Sequence, residues 1–152
     1  MADVQSKDKS KEWFYSDVVK DHFLKPRNIA CDEKEIEKIK PNGVGEVGSP
    51  ACGDVMKMWI RVEDEKIKKC LWKTFGCASA IASTSMLSVM LTENKGMKID
   101  DALKLRPKDI LERLHGLPKV KIHCSVLGDQ ALRSALNNYF KKTNQKKRMV
   151  KV

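Results

Sequence analysis

Trp13, Phe14, Val18, Phe23 and Leu24 recur at mostly helical spacings until Pro26 interrupts them, which predicts a first amphipathic helix in a domain beginning near Trp13. The stretch 27–42 is polar and irregular, and Gly43, Gly45 and Gly48 around Val44 and Val47 read as a short extended piece entering a loop. Met56, Met58, Ile60 and Val62 then alternate with Lys57, Trp59 and Arg61. After an acidic turn at 63–65 a second alternating run carries Cys70, Trp72 and Thr74, so the two runs predict a β-hairpin. The segment 78–91 has no Gly or Pro and is strongly apolar with interspersed Ser and Thr; it reads as a buried helix with Cys77 in its first turn. Two short helices follow at 100–105 and 107–114, the second opened by Pro107. Leu127, Ala131, Ala135, Leu136 and Tyr139 mark one face of a long last helix starting near Ile122, with Cys124 at its N-terminal end. A helix, then strands, then helices predict an α+β domain whose small antiparallel sheet is covered on one face by helices.

With 152 residues, 41% of them hydrophobic, the chain suits one domain with one core. The expected organisation is a frayed, polar N-terminus over 1–12, a folded domain over 13–142 and a basic solvated tail over 143–152. No run approaches the roughly 20 apolar residues of a membrane span, and the start lacks the apolar core of a signal peptide, so cytoplasmic residence without a membrane partner is expected. The formal charge is +10, but the last twelve residues supply six Lys or Arg and no acid, leaving +4 on the body. With few aromatic residues and none interleaved with Arg, the charge argues for a solvated tail over a nucleic-acid surface.

Five cysteines are an odd number in a chain with no sign of export, which favours free thiols or metal ligands over a disulfide framework. Cys52 sits in the loop Ser-Pro-Ala-Cys-Gly-Asp, Cys77 follows Gly76 at a helix start, and Cys124 follows His123 at another. Each lies at an end of an element, where distant parts of a chain meet, and a helix N-terminus favours the thiolate that binds metal or attacks sulfur. Asp54 and His123 add an oxygen and a nitrogen donor beside two of these sulfurs. Tetrahedral zinc, an iron-sulfur cluster and cysteines that merely pack all fit this spacing, and no Cys-x-x-Cys pair decides among them. Cys70, on a strand, reads as a small core residue; Cys31 reads as an exposed thiol without a task; His22 and His115 read as surface or packing residues.

Four blocks carry a resemblance: Pro-Arg-Asn at 26–28, Gly-Ser-Pro-Ala-Cys-Gly-Asp-Val-Met-Lys at 48–57, Lys-Thr-Phe-Gly-Cys-Ala-Ser-Ala-Ile-Ala-Ser at 73–83 and Val-Lys-Ile-His-Cys-Ser at 120–125. Between about Tyr15 and Tyr139 the chain resembles the IscU family, also found as the N-terminal domain of NifU. The resemblance implies a three-stranded antiparallel sheet packed against about five helices, with the site at one exposed end. It implies a scaffold and cluster donor, not an enzyme: a cysteine desulfurase passes persulfide sulfur to a cysteine, iron joins it, and a 2Fe-2S cluster forms on Cys52, Cys77 and Cys124. Asp54 or His123 completes the ligand set, and zinc is able to occupy the apo site. A mixed site holds a cluster while leaving one corner easy to displace, as a donor to apo acceptor proteins requires. Further implied partners are a ferredoxin, a frataxin-like protein, an Hsp70-type chaperone and a second copy of the chain. Leu117, Pro118, Val120 and Lys121 resemble the chaperone-binding loop, with Lys119 where the family usually has a second proline; Ala78 replaces a glycine common after the second cysteine.

Two other classes compete. A SufU-like zinc-dependent sulfurtransferase shares the fold, but that subfamily carries an insertion between the second and third cysteines and lacks the preceding histidine. Here 46 residues separate Cys77 from Cys124, and His123 is present. A basic nucleic-acid-binding module would show binding that weakens steeply with salt.

Overall fold

The computed structural model of the chain describes residues 16–49, 54–75, 78–115 and 123–152. The sheet has the order β1 (Gly43–Ser49), β2 (Asp54–Glu63), β3 (Lys66–Phe75) and β4 (Met97–Lys98), antiparallel throughout. The helices are α1 (Asp17–Leu24), α2 (Glu33–Ile39), α3 (Ala78–Thr92), α4 (Ile99–Lys104), α5 (Pro107–Arg113) and α6 (His123–Lys142), followed by a 3-10 turn at Lys146–Arg148. The α+β architecture and the hairpin stand as expected. The sheet gains a fourth, two-residue strand, which carries too few positions to show an alternation.

The hairpin turns on Asp64 and Glu65, both at positive φ (53° and 63°), as the tight two-residue turns that match strand twist require. Arg61 pairs with Lys69 but Val62 pairs with Ile67, so one residue of β3 is extra at that point. The bulge switches the inward parity of β3, which is why Ile67 is as buried as Cys70 and Trp72. Met56, Met58, Ile60 and Val62 form the inward row of β2 and pack with Leu87 and Leu91 of α3 and Leu132, Ala135 and Leu136 of α6 in one core.

α3 is buried on nearly all sides, from Ser79 through Leu91, because the sheet and α6 lie on one flank and α1 on another. Two of its hydroxyls are tied internally: Thr84 Oγ1 donates to Ala80 O (2.8 Å) and Ser88 Oγ to Ser85 O (2.7 Å). Buried hydroxyls without partners would cost stability, and these spend theirs on the preceding turn.

Three expectations need correction. The segment 27–42 is not wholly irregular, since it contains α2, capped by the Asp32 side chain accepting from Glu35 N (2.9 Å) and closed by Lys40 in the left-handed conformation. α2 buries no residue, so no apolar stripe announced it. In α1 the inward positions are Val19 and His22, while Phe23 and Leu24 are 40% and 48% exposed, the reverse of what hydrophobicity predicted. Residues 13–15 lie outside the described residues. The basic segment after α6 is also held, in part: Arg148 pairs with Glu65 (3.0 Å) and Asp100 (3.2 Å) and lies over the Phe140 ring (4.8 Å). Asn137 exchanges two hydrogen bonds with Val150, donating to its O (2.8 Å) and accepting from its N (2.9 Å). No helix among the described residues is long and apolar enough to cross a membrane.

Candidate functional site

Strand register places several chain ends together. Ser49 pairs with Asp54 and Val55 with Phe75, so the end of β1, the start of β2 and the end of β3 share one end of the sheet. α3 begins at Ala78, three residues after Phe75, and therefore starts from that end. α6 runs opposite to β1. Val44 N donates to Asn138 Oδ1 (3.0 Å), a Cβ on Gly43 would stand 2.7 Å from Ala135 O, and one on Gly45 would stand 2.4 Å from Ala131 O. Contacts thus step toward the N-terminus of α6 as β1 advances toward Ser49. Gly128 packs against Thr84 and Leu87 of α3, and at about 1.5 Å per residue both helices begin within roughly 10 Å of the Gly128–Thr84 contact. The N-termini of a 15-residue and a 20-residue helix therefore meet the open ends of three strands. Two helix N-termini at one end make a positive local field, which favours thiolate over thiol and anions over neutral groups.

Asp54 is the first residue of β2, and His123 and Cys124 are the first two of α6, so the backbone brings these three predicted site residues to the same end. Cys52 and Cys77 lie outside the described residues, as do Leu117, Pro118, Val120 and Lys121. In sequence, Ser49 and Asp54 lie on either side of Cys52, and Phe75 and Ala78 on either side of Cys77. Cys31 and Cys70 belong elsewhere. Cys31 is exposed beside α2, where its backbone N–H donates to Glu35 Oε2 (3.0 Å). Cys70 is buried in the core, and burial pushes its thiol up to about 12, too high for a nucleophile or ligand at neutral pH.

Two residues at this end were not singled out from the sequence. Val55 and Phe75 face each other across β2 and β3 and are 39% and 68% exposed. They occupy the parity opposite the core row, so the same alternation that predicted the hairpin could have placed them on its outer face.

His22 ties α1 to α3 beside this framework. Its Nδ1 lies 2.8 Å from Ser85 Oγ, which also accepts from Arg27 N (2.8 Å), leaving the hydroxyl proton for a neutral imidazole. Burial lowers the His22 pKa below its ordinary value near 6.5; Arg27 and Arg113 push it the same way and Asp21 opposes them. A histidine held neutral in the fold takes up its proton more readily when unfolded. Its contribution is present above the unfolded value and is lost as pH falls from about 6.5 toward the lowered folded value, at no more than ~1.4 kcal/mol per pH unit. Urea midpoints should drop between about pH 7.5 and 5.5, and His22→Leu should flatten that slope; carboxylates titrate mostly below this window. A slope unchanged by His22→Leu would assign the effect to other groups.

A family model described as the NifU-like N-terminal domain matches residues 14–146. The chain belongs to this family. Among curated members of similar sequence, the iron-sulfur cluster assembly scaffold protein IscU 1 of Archaeoglobus fulgidus is 47% identical over 131 residues, covering 86% of this chain and 80% of that one. The protein of the same description, IscU, from Escherichia coli is 44% identical over 133 residues, covering 87% and 98%. Iron sulfur cluster assembly protein 1 of Trachipleistophora hominis is 46% identical over 129 residues, covering 85% and 88%. The crystal structure of the N-terminal NifU-like protein of Brucella abortus superposes with a TM-score of 0.60 at 15% identity over 84% of this chain and 94% of that one, which shows a shared fold. The NifU-like fold thus accounts for the sheet and helices described above.

Proposed function

We propose that the chain is a scaffold on which an iron-sulfur cluster of the 2Fe-2S type is built on Cys52, Cys77 and Cys124 and then passed to apo-proteins. The observation that carries this reading is the convergence of Asp54, His123 and Cys124 with the strand and helix ends bordering Cys52 and Cys77 at one end of the sheet. The relatives named as scaffolds at 44–47% identity support it. Asp54 or His123 serves as the fourth ligand. The cluster is cargo, so a weakly held corner is an advantage and a closed four-thiolate cage would be a defect.

Sulfur donated as a persulfide is at the oxidation level of elemental sulfur and must gain two electrons to become bridging sulfide. The partners implied are therefore a cysteine desulfurase for sulfur, a ferredoxin-class reductant, an iron source and apo acceptors. The exposed Val55 and Phe75 beside the site suit contact with such proteins. Assembly in the cytoplasm, zinc as an occupant of the apo site, the chaperone-binding role of Leu117, Pro118, Val120 and Lys121, and a folded unit over 13–142 belong to the same proposal.

The test is anaerobic reconstitution with a cysteine desulfurase, cysteine, a reductant and ferrous iron, followed by addition of an apo-ferredoxin. Cluster absorption should appear on this chain and then on the ferredoxin. If the protein keeps zinc, never colours and only speeds the desulfurase, it is a sulfurtransferase of the SufU kind and the scaffold proposal fails.

A further inference from the structure

The outward face of the sheet carries a second feature, far from the site. A cleft of about 780 Å³ lies between α2 and the turn end of β2 and β3. Ile29, Ile39 and Leu71 are its apolar, partly exposed residues. Five cations line it, Lys38, Lys40, Arg61, Lys68 and Lys69, against two carboxylates, Glu35 and Glu63.

The positive charge is not neutralised locally. Glu63 is already engaged by Arg61 Nε (3.3 Å), and Glu35 accepts from Cys31 N. Arg61 is further fixed by donating to Lys40 O (3.1 Å), and Lys68 Nζ donates to Lys95 O (2.8 Å). The ammonium groups of Lys38, Lys40 and Lys69 form no ion pair with any described residue. Arg61 and Lys69 are direct cross-strand partners, an arrangement of like charges that disfavours the sheet. A fold that keeps unpaired cations on both walls of one cleft is complementary to an anion.

The lining also narrows the class of anion. It contains no aromatic ring on which a base could stack and no glycine-rich loop to cradle phosphate, so a nucleotide or single-stranded nucleic acid finds little beyond charge. An extended peptide alternates its side chains, and one with acidic and apolar residues in turn presents carboxylates to the lysines and apolar groups to Ile29, Ile39 and Leu71. We propose that this cleft docks an acidic, alternately apolar segment of a partner protein. Arg61 is seven residues along β2 from Asp54, about 20 Å at strand rise, so a partner held here leaves the candidate site open.

The experiment uses the full chain without metal, and its outcome is therefore independent of whether a cluster forms. A labelled peptide of alternating Glu and Leu is titrated by fluorescence anisotropy, with amide chemical-shift mapping of the same complex. Binding should weaken with salt, and shifts should gather at Ile29, Ile39, Lys40, Arg61, Lys69 and Leu71. Lys40→Glu with Lys69→Glu should weaken binding at least about tenfold, and the milder Lys40→Gln with Lys69→Gln should weaken it less. The charge-matched control, Lys104→Glu with Lys108→Glu on α4 and α5, should bind as the parent does. Equal weakening by both charge-reversed pairs, shifts outside the cleft, or a single-stranded RNA that binds these residues more tightly than the peptide would each overturn the proposal.

Discussion

Serine in place of Cys52, Cys77 or Cys124 should abolish cluster formation in reconstitution while leaving the melting temperature of the metal-free chain within about 2 °C of the parent. A serine hydroxyl stays protonated at neutral pH, so it offers iron neither the charge nor the polarisable sulfur of a thiolate. The core among the described residues is built mainly from β2, β3, α3 and α6, with α1, α4 and α5 contributing, and should survive a change that only exchanges sulfur for oxygen. Cys31→Ser is the control: exposed and beside α2, it should retain full cluster yield. Asp54→Ala should do the opposite of the cysteine changes, lengthening cluster lifetime and slowing transfer, because it removes a weak oxygen donor from a sulfur-rich site. Cluster yield that survives any one of the three serine variants would remove that cysteine from the ligand set.

The elements that came through clearly from the sequence are those whose periodicity is dictated by a buried face. Met56, Met58, Ile60 and Val62 alternate because every second residue of β2 enters the core, and Leu127, Ala131 and Ala135 recur because one stripe of α6 lies on the sheet. α2 escaped because it buries nothing, and only Asp32 and Lys40 at its ends mark it. α1 was placed correctly against Pro26 but given the wrong face. His22 is inside since Ser85 Oγ, itself held by the Arg27 backbone N–H, bonds its ring, whereas Phe23 and Leu24 are left outside. Hydrophobicity alone cannot see a partner supplied 63 residues away. The docking of Arg148 depends in the same way on Glu65 and Asp100, each distant in sequence, and so a basic run read as a solvated tail.

The candidate site was legible for a different reason. Cys52 stands beside Gly53, Cys77 beside Gly76 and Cys124 beside His123, all three read at element ends, and the four motif blocks carry the family's pattern. Strand register and the helix N-termini then supply the physical content, because they give one end of the sheet to residues as far apart as Asp54 and Cys124. The basic cleft under α2 had no such signature. Its cations come from α2, β2 and β3 and meet only in the fold.

The close approach of α6 to β1 is the joint that holds Cys124 at that end, and Gly45→Ala should break it. A Cβ on Gly45 would lie 2.4 Å from Ala131 O, 2.4 Å from Ala135 N and 2.9 Å from the carbonyl carbon of Ser134. All three are backbone atoms of a helix, so no rotamer change relieves the overlap and α6 must lift from the strand. The cost should reach about 3 kcal/mol, the upper end for overpacking. Gly128→Ala is the contrast, since its Cβ would meet the flexible end of Leu87 at 3.3 Å and Thr84 Oγ1 at 3.5 Å. The helix-propensity gain of about 1 kcal/mol should offset that contact and leave stability nearly unchanged. Because the Gly45 overlap is with main chain, truncating a side chain on α6, as in Ala131→Gly, should not rescue it. Denaturant midpoints measure all three variants, and cluster retention in Gly45→Ala should fall with them, since lifting α6 moves the end that carries His123 and Cys124. A Gly45→Ala protein as stable as the parent would show that α6 and β1 are not in backbone contact, and with that the convergence at this end of the sheet would lose its main support.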